Sequence, residues 1–142
     1  MRRLLTGVND QGQSCLVEET EISPTEAVPG IAMAMLFATP ESPALPRPEG
    51  QGELLTVGVE PGCCHWMIFD WAPGHSWSTM HHTDTIDFNL VLSGSIDLIL
   101  DTGLHALEPG DCVVITGIDH AWRAGPSGCR VSAVLLGTPP IP

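Results

Sequence analysis

Met80-His81-His82-Thr83-Asp84-Thr85-Ile86-Asp87-Phe88-Asn89-Leu90-Val91-Leu92-Ser93-Gly94 is the stretch on which the reading of this chain turns. Its second half alternates. Ile86, Phe88, Leu90 and Leu92 are apolar while Asp87 and Asn89 are polar, the two-residue period of a strand with one buried face. Its first half gathers imidazole and carboxylate groups just ahead of that strand, and it closes on Ser93-Gly94, a turn signal. His81, Thr83, Asp87 and Asn89 share one parity, so an uninterrupted strand puts them on one face; a turn or bulge near Asp84 would reset that count. Periodicity alone sends the apolar face to the core and Asp87 to water.

The flanking sequence continues in the same manner. Runs of strand length occur at 54–59, 63–71, 95–100, 104–107, 112–116, 120–123 and 130–136, separated by turns such as Glu60-Pro61-Gly62, Asp101-Thr102-Gly103, Pro109-Gly110-Asp111 and Gly125-Pro126-Ser127-Gly128. No helix of ten residues is visible, and short strands with Gly and Pro between them predict an all-β sandwich or barrel. Upstream, Arg2–Glu19 reads as a hairpin about Asn9-Asp10-Gln11-Gly12. Ser23-Pro24-Thr25-Glu26 has the form of a capping box, with Pro29 limiting any helix to one turn. Ile31–Ala38 is of strand length, and 39–52 is a loop with four prolines. The whole predicts one domain: N-terminal strands and loop over 1–60, a barrel over 61–137 and a tail at 138–142.

With 142 residues, 15 Gly and 13 Pro, the chain has room for one core. Five basic against 17 acidic residues give a net charge of −12. All five are arginine (Arg2, Arg3, Arg47, Arg123, Arg130) and there is no tyrosine. A lysine Schiff base, a phosphate-loop lysine and a phenolic acid or base are excluded. Nucleic acid and anionic membrane surfaces are not expected partners, since both require a basic footprint. No run approaches a bilayer-spanning length. The cysteines (Cys15, Cys63, Cys64, Cys112, Cys129) are odd in number and lack a C-x-x-C spacing, so they read as free thiols of a reducing, cytoplasmic protein.

One further imidazole, His120, follows the Pro109-Gly110-Asp111 turn and one strand. Imidazoles and a carboxylate on neighbouring strands suit a divalent metal. At these residues the chain resembles the cupin superfamily, whose first motif runs Gly, His-x-His, Glu and then Gly seven residues after the Glu. Asp87 stands seven before Gly94, His81 fits the first His, Thr83 the second, and His120 the His of the second motif. Met80–Phe88 with His120-Ala121-Trp122-Arg123 looks more narrowly like small single-domain cupins. The resemblance covers Gly62–Gly137 well and the first sixty residues loosely. It implies a double-stranded β-helix (jelly-roll barrel) with an N-terminal strand extension. It also implies a metal site of His81, Asp87 and His120, with His82 as the alternative ligand in the other register. Thr83, Asn89 and Trp122 would orient a substrate. The motif departs from the fullest metal-binding pattern at Thr83 and at Asp87, where a second His and a Glu would stand. The two His and one carboxylate that remain resemble a facial triad for Fe, Zn, Mn or Ni.

The resemblance turns Asp87 and Asn89 inward, so Ile86, Phe88, Leu90 and Leu92 face outward and need a cover. The N-terminal strands or a second subunit would supply it, and a homodimer is expected, with strands from Arg2–Val17 or Ile31–Ala38 at the interface. Three functions remain open. One is a metal-dependent enzyme acting on a small carbonyl or carboxylate compound, as dioxygenase, isomerase, decarboxylase or dehydratase. The second is a non-catalytic small-molecule binder. The third is a metal-free enzyme using His and Asp as acid and base. Among the remaining residues, Trp66, Phe69, Trp71 and Trp77 read as core and rim, Asp111 as a turn former, Cys112 as a buried thiol and Arg123 as a surface residue or ion-pair partner.

Overall fold

A computed structural model describes residues 1–42, 44 and 50–141. The elements are all strands: β1 (Arg2–Val8), β2 (Ser14–Glu21), β3 (Thr25–Val28), β4 (Ile31–Met33), β5 (Glu53–Leu54), β6 (Cys64–Trp71), β7 (Ser76–His82), β8 (Thr85–Leu100), β9 (Gly103–Leu107), β10 (Cys112–Ile115) and β11 (His120–Gly137). Nine of them form one curled sheet and β3–β4 a separate pair.

Two long strands make the curl. The first half of β8 pairs with the second half of β11 (Thr85↔Gly137 to Gly94↔Cys129), and its second half with the first (Ile96↔Ala124 to Ile99↔Ala121). Each strand therefore passes from one layer to the other. One layer runs β2-β1-β10-β8-β11-β6 and the other β9-β8-β11-β7-β5. The result is a jelly-roll type of barrel, the all-β architecture expected. The turns read at Ser93-Gly94 and at 125–128 do not end strands; β8 and β11 bend there and continue.

The core lies between the layers, where Leu4, Ile96, Leu98, Leu107, Val113 and Ile115 are almost fully buried. Each such side chain contributes about 2 kcal/mol by leaving water. The N-terminal hairpin forms as read, and β1 joins β10 in parallel (Leu4↔Val113). The one-turn helix at Ser23–Glu26 does not form; this segment enters β3, because pairing with β4 outweighs a capping motif that Pro29 leaves no length to use. Only Ile31–Met33 of the expected Ile31–Ala38 strand is paired. Of the Pro-rich loop 39–52, positions 43 and 45–49 lie outside the described residues.

On the outer face of the first layer the register aligns Trp66, Val134, Phe88, Val114 and Leu5 in one row across five strands. Phe37 covers part of it, its ring 5.4 Å from Phe88, and Ala44 packs with Ile86 and Val114. At the edge, Trp66 stays 80% exposed.

Candidate functional site

Between the layers opens a cavity of about 140 Å³, room for one small organic molecule. Its polar end is built by strand register. His120 on β11 lies directly across from His81 on β7, so the two rings sit 4.4 Å apart, centroid to centroid. Each ring donates its Nδ1–H to the carbonyl two residues earlier, His81 to Thr79 (3.0 Å) and His120 to Ile118 (2.9 Å). A carbonyl only accepts, so Nδ1 carries a proton in each ring, and in the neutral ring Nε2 keeps its lone pair. Both residues line the cavity, and among the described residues neither Nε2 has a hydrogen-bond partner. Burial, reinforced by the neighbouring His81, pushes the His120 pKa down to about 4. At neutral pH it is an uncharged acceptor.

Asp87 and Asn89 project into the same cavity from β8. Burial raises the Asp87 carboxyl to about 6, against the opposing pull of the Thr85 hydroxyl, which donates to Oδ1 at 2.6 Å. Thr85 has one proton and spends it there, so Thr83 donates to Thr85 across 2.7 Å. The Asn89 Nδ2 is buried with no hydrogen-bond partner. The walls are aromatic: Trp77 lies 5.5 Å from His81, Trp122 meets His120 edge-on at 5.7 Å, and Trp71 and Phe69 close the side from β6.

The structure thus brings His81, Thr83, Asp87, Asn89, His120 and Trp122 to one cavity. His82, the alternative ligand, faces the other way, its Nδ1 3.0 Å from Asp119 Oδ1. Asp119 also accepts from the backbone N–H of Gln51 and Gly52, holding the loop that leads to Leu55 and Val57 on the cavity wall. A Cβ on Gly52 would fall 2.4 Å from the Met80 carbonyl, so the loop lies flat on β7. Sequence reading missed this clasp, whose one signal is an Asp next to His120, and it missed Thr85, which shares the parity of Thr83 and Asp87. It also assigned Phe69, Trp71 and Trp77 to core and rim rather than to the cavity. Asp119→Ala is expected to cost about 2 kcal/mol and to speed hydrogen exchange over residues 50–57. Unchanged exchange there would show that the clasp does not hold the loop.

Among the described residues no three His, Cys, Asp or Glu side chains are grouped to hold a metal ion. His81 and His120 present two nitrogens, but Asp87 is engaged by Thr85 and does not complete the three-donor set.

The fold is that of a β-barrel with a cavity between its layers, lined by two imidazoles, a carboxyl and aromatic rings. No family model matches the chain. Two curated relatives, phomopsin biosynthesis cluster proteins C′ and D of Diaporthe leptostromiformis, are each 45% identical over 64 residues, 44% of this chain and 33% of theirs. The chain therefore matches about a third of the length of those relatives. Among solved structures, a protein of unknown function from Rhizobium leguminosarum aligns with 54% of this chain and 72% of its own, at 21% identity and a TM-score of 0.49. A sugar phosphate isomerase from a cupin superfamily, from Silicibacter pomeroyi, aligns with 54% of this chain and 51% of its own, at 22% identity and a TM-score of 0.42. The barrel assignment stands on the strand pairing itself.

Proposed function

We propose that the cavity binds one small organic molecule and acts on it by proton transfer. His120 serves as an uncharged base with His81 beside it, and Asp87 is the group that gains or loses a proton near neutrality. The observation that carries this reading is the pair of imidazoles anchored through Nδ1, with both Nε2 atoms left to an aromatic cavity. A second reading, favoured by the same anchoring, is a metal-dependent enzyme. Imidazoles that donate Nδ1–H to a fixed acceptor are oriented as metal ligands are. A divalent ion (Fe, Zn, Mn or Ni) would then rest on His81 and His120, with Asp87 reoriented from Thr85. Bound there, it would polarise a carbonyl or carboxylate oxygen. Elemental analysis by plasma mass spectrometry, with His81→Ala and Asp87→Ala alongside, separates the two. Proton transfer predicts no stoichiometric metal and function that survives chelation. Near-stoichiometric metal lost in both variants would overturn it in favour of the metal enzyme.

We also propose a homodimer through the outer face of the first layer. Trp66, Ile68 and Leu92 there are exposed apolar side chains, as are Ile31 and Met33 of β4 and Met35 just after it, the kind of surface that marks a two-fold interface. Sedimentation is expected to give twice the chain mass. A monomer at every concentration would refute the dimer.

A further inference from the structure

The polar groups of the cavity also define what kind of molecule fits, which rests on the small-molecule reading above. The His81 and His120 rings sit 4.4 Å apart at the cavity, each anchored through Nδ1, and in its neutral form each offers Nε2 as an acceptor to a donor in the cavity. Asn89 Nδ2 is the reverse case, a buried donor lacking an acceptor. The walls at Trp71, Trp77 and Trp122 favour a flat ring, since aromatic faces pack best on one another.

Charge narrows the choice further. No arginine is among the described residues that line the cavity. Arg2, Arg3, Arg123 and Arg130 are each paired to a carboxylate elsewhere: Asp111, Glu18, Asp97 and Asp70. An anionic ligand would meet Asp87 with no countercharge from these groups.

We propose that the cavity takes a neutral planar ring with two neighbouring hydroxyl groups, the catechol class. The hydroxyls donate to Nε2 of His81 and of His120, and an oxygen of the ligand accepts from Asn89 Nδ2. A carboxylate compound of similar size is disfavoured. This lies outside the carbonyl-or-carboxylate class expected from the sequence, and it offers hydrogen-bond partners to the two imidazoles and to Asn89.

The test is a calorimetric titration of the full chain with catechol, 1,2-dimethoxybenzene and benzoate at pH 7, in the presence of a chelator so that a metal–catechol complex cannot contribute. Catechol is expected to bind at least tenfold more tightly than either of the others. Asn89→Leu and His81→Ala, with circular dichroism confirming the fold, are each expected to weaken catechol about tenfold while leaving dimethoxybenzene nearly unchanged. Dimethoxybenzene or benzoate binding as tightly as catechol would overturn the proposal and leave the small-molecule pocket standing. Catechol binding only after a metal is added would also overturn it, in favour of the metal reading. Failure of all three probes to bind would count against the proposal and the pocket together.

Discussion

Gly94→Ala is expected to destabilise the fold by at least about 3 kcal/mol, a large share of what a domain of this size has. Two causes add. Gly94 has φ +74°, where an L side chain costs roughly 1 kcal/mol. A Cβ there would also fall 2.0 Å from the Gly128 carbonyl oxygen and 2.9 Å from the Cys129 Cα, both backbone atoms of β11. This is where β8 crosses from one layer to the other, so relief requires the paired strand to move. Gly74→Ala isolates the first cause. Its φ is +68°, with nothing within 4 Å of the added carbon, so a loss of about 1 kcal/mol is expected. Urea unfolding of both variants checks the difference, and equal losses would show that the close approach at Gly94 costs nothing.

The second large effect lies in the pH dependence of Asp87→Asn. Asp87 titrates at about 6 in the fold, above its ordinary value of 3.8, so the folded state holds its proton more tightly. That contribution is present at low pH and is lost as pH rises through about 6. His120 titrates at about 4 in the fold, below its ordinary 6.5, so the unfolded state takes the proton first. Its contribution is full above 6.5 and is lost as pH falls toward 4. Each is worth about 3 kcal/mol with opposite sign, and in the wild type they nearly cancel between pH 4 and 7. Asp87→Asn keeps an oxygen to accept from Thr85 and removes one arm. The variant is expected to be about 3 kcal/mol more stable than wild type at pH 7 and to lose that advantage on acidification to pH 4. Thermal melts at several pH values check this. A variant whose pH profile parallels the wild type would mean that Asp87 is not buried as its environment implies.

The all-β architecture was legible because the alternation from Ile86 to Leu92 is long and clean, and because Gly and Pro punctuate nearly every later run. The same punctuation misled at Gly94 and at 125–128. A glycine that ends a strand and one that lets a strand bend carry identical local signals, and only the pairing of β8 with β11 tells them apart. Parity placed His81, Thr83, Asp87 and Asn89 together, since a strand's two-residue period holds regardless of tertiary context. That His81 and His120 lie directly opposite one another depends on the register of strands nearly forty positions apart, which no local pattern encodes. His82 differs from His81 by a single step of the pleat, and that step sends it to Asp119 instead of the cavity.

Pairing of β1 with β10 has a consequence for how the protein is made. Leu4 is paired with Val113 and buried in the core that the later strands build, and Arg2 reaches the Asp111 carboxylate. A nascent chain emerging at about 5–20 residues per second therefore carries its first hairpin, Leu4 included, in the open for several seconds before that partner leaves the ribosome. The second half of β11 must then slide between β6 and β8 to complete the first layer. Closure of the first layer thus waits for pairings of high sequence separation, and a chaperone that shields apolar strands has its longest task at β1.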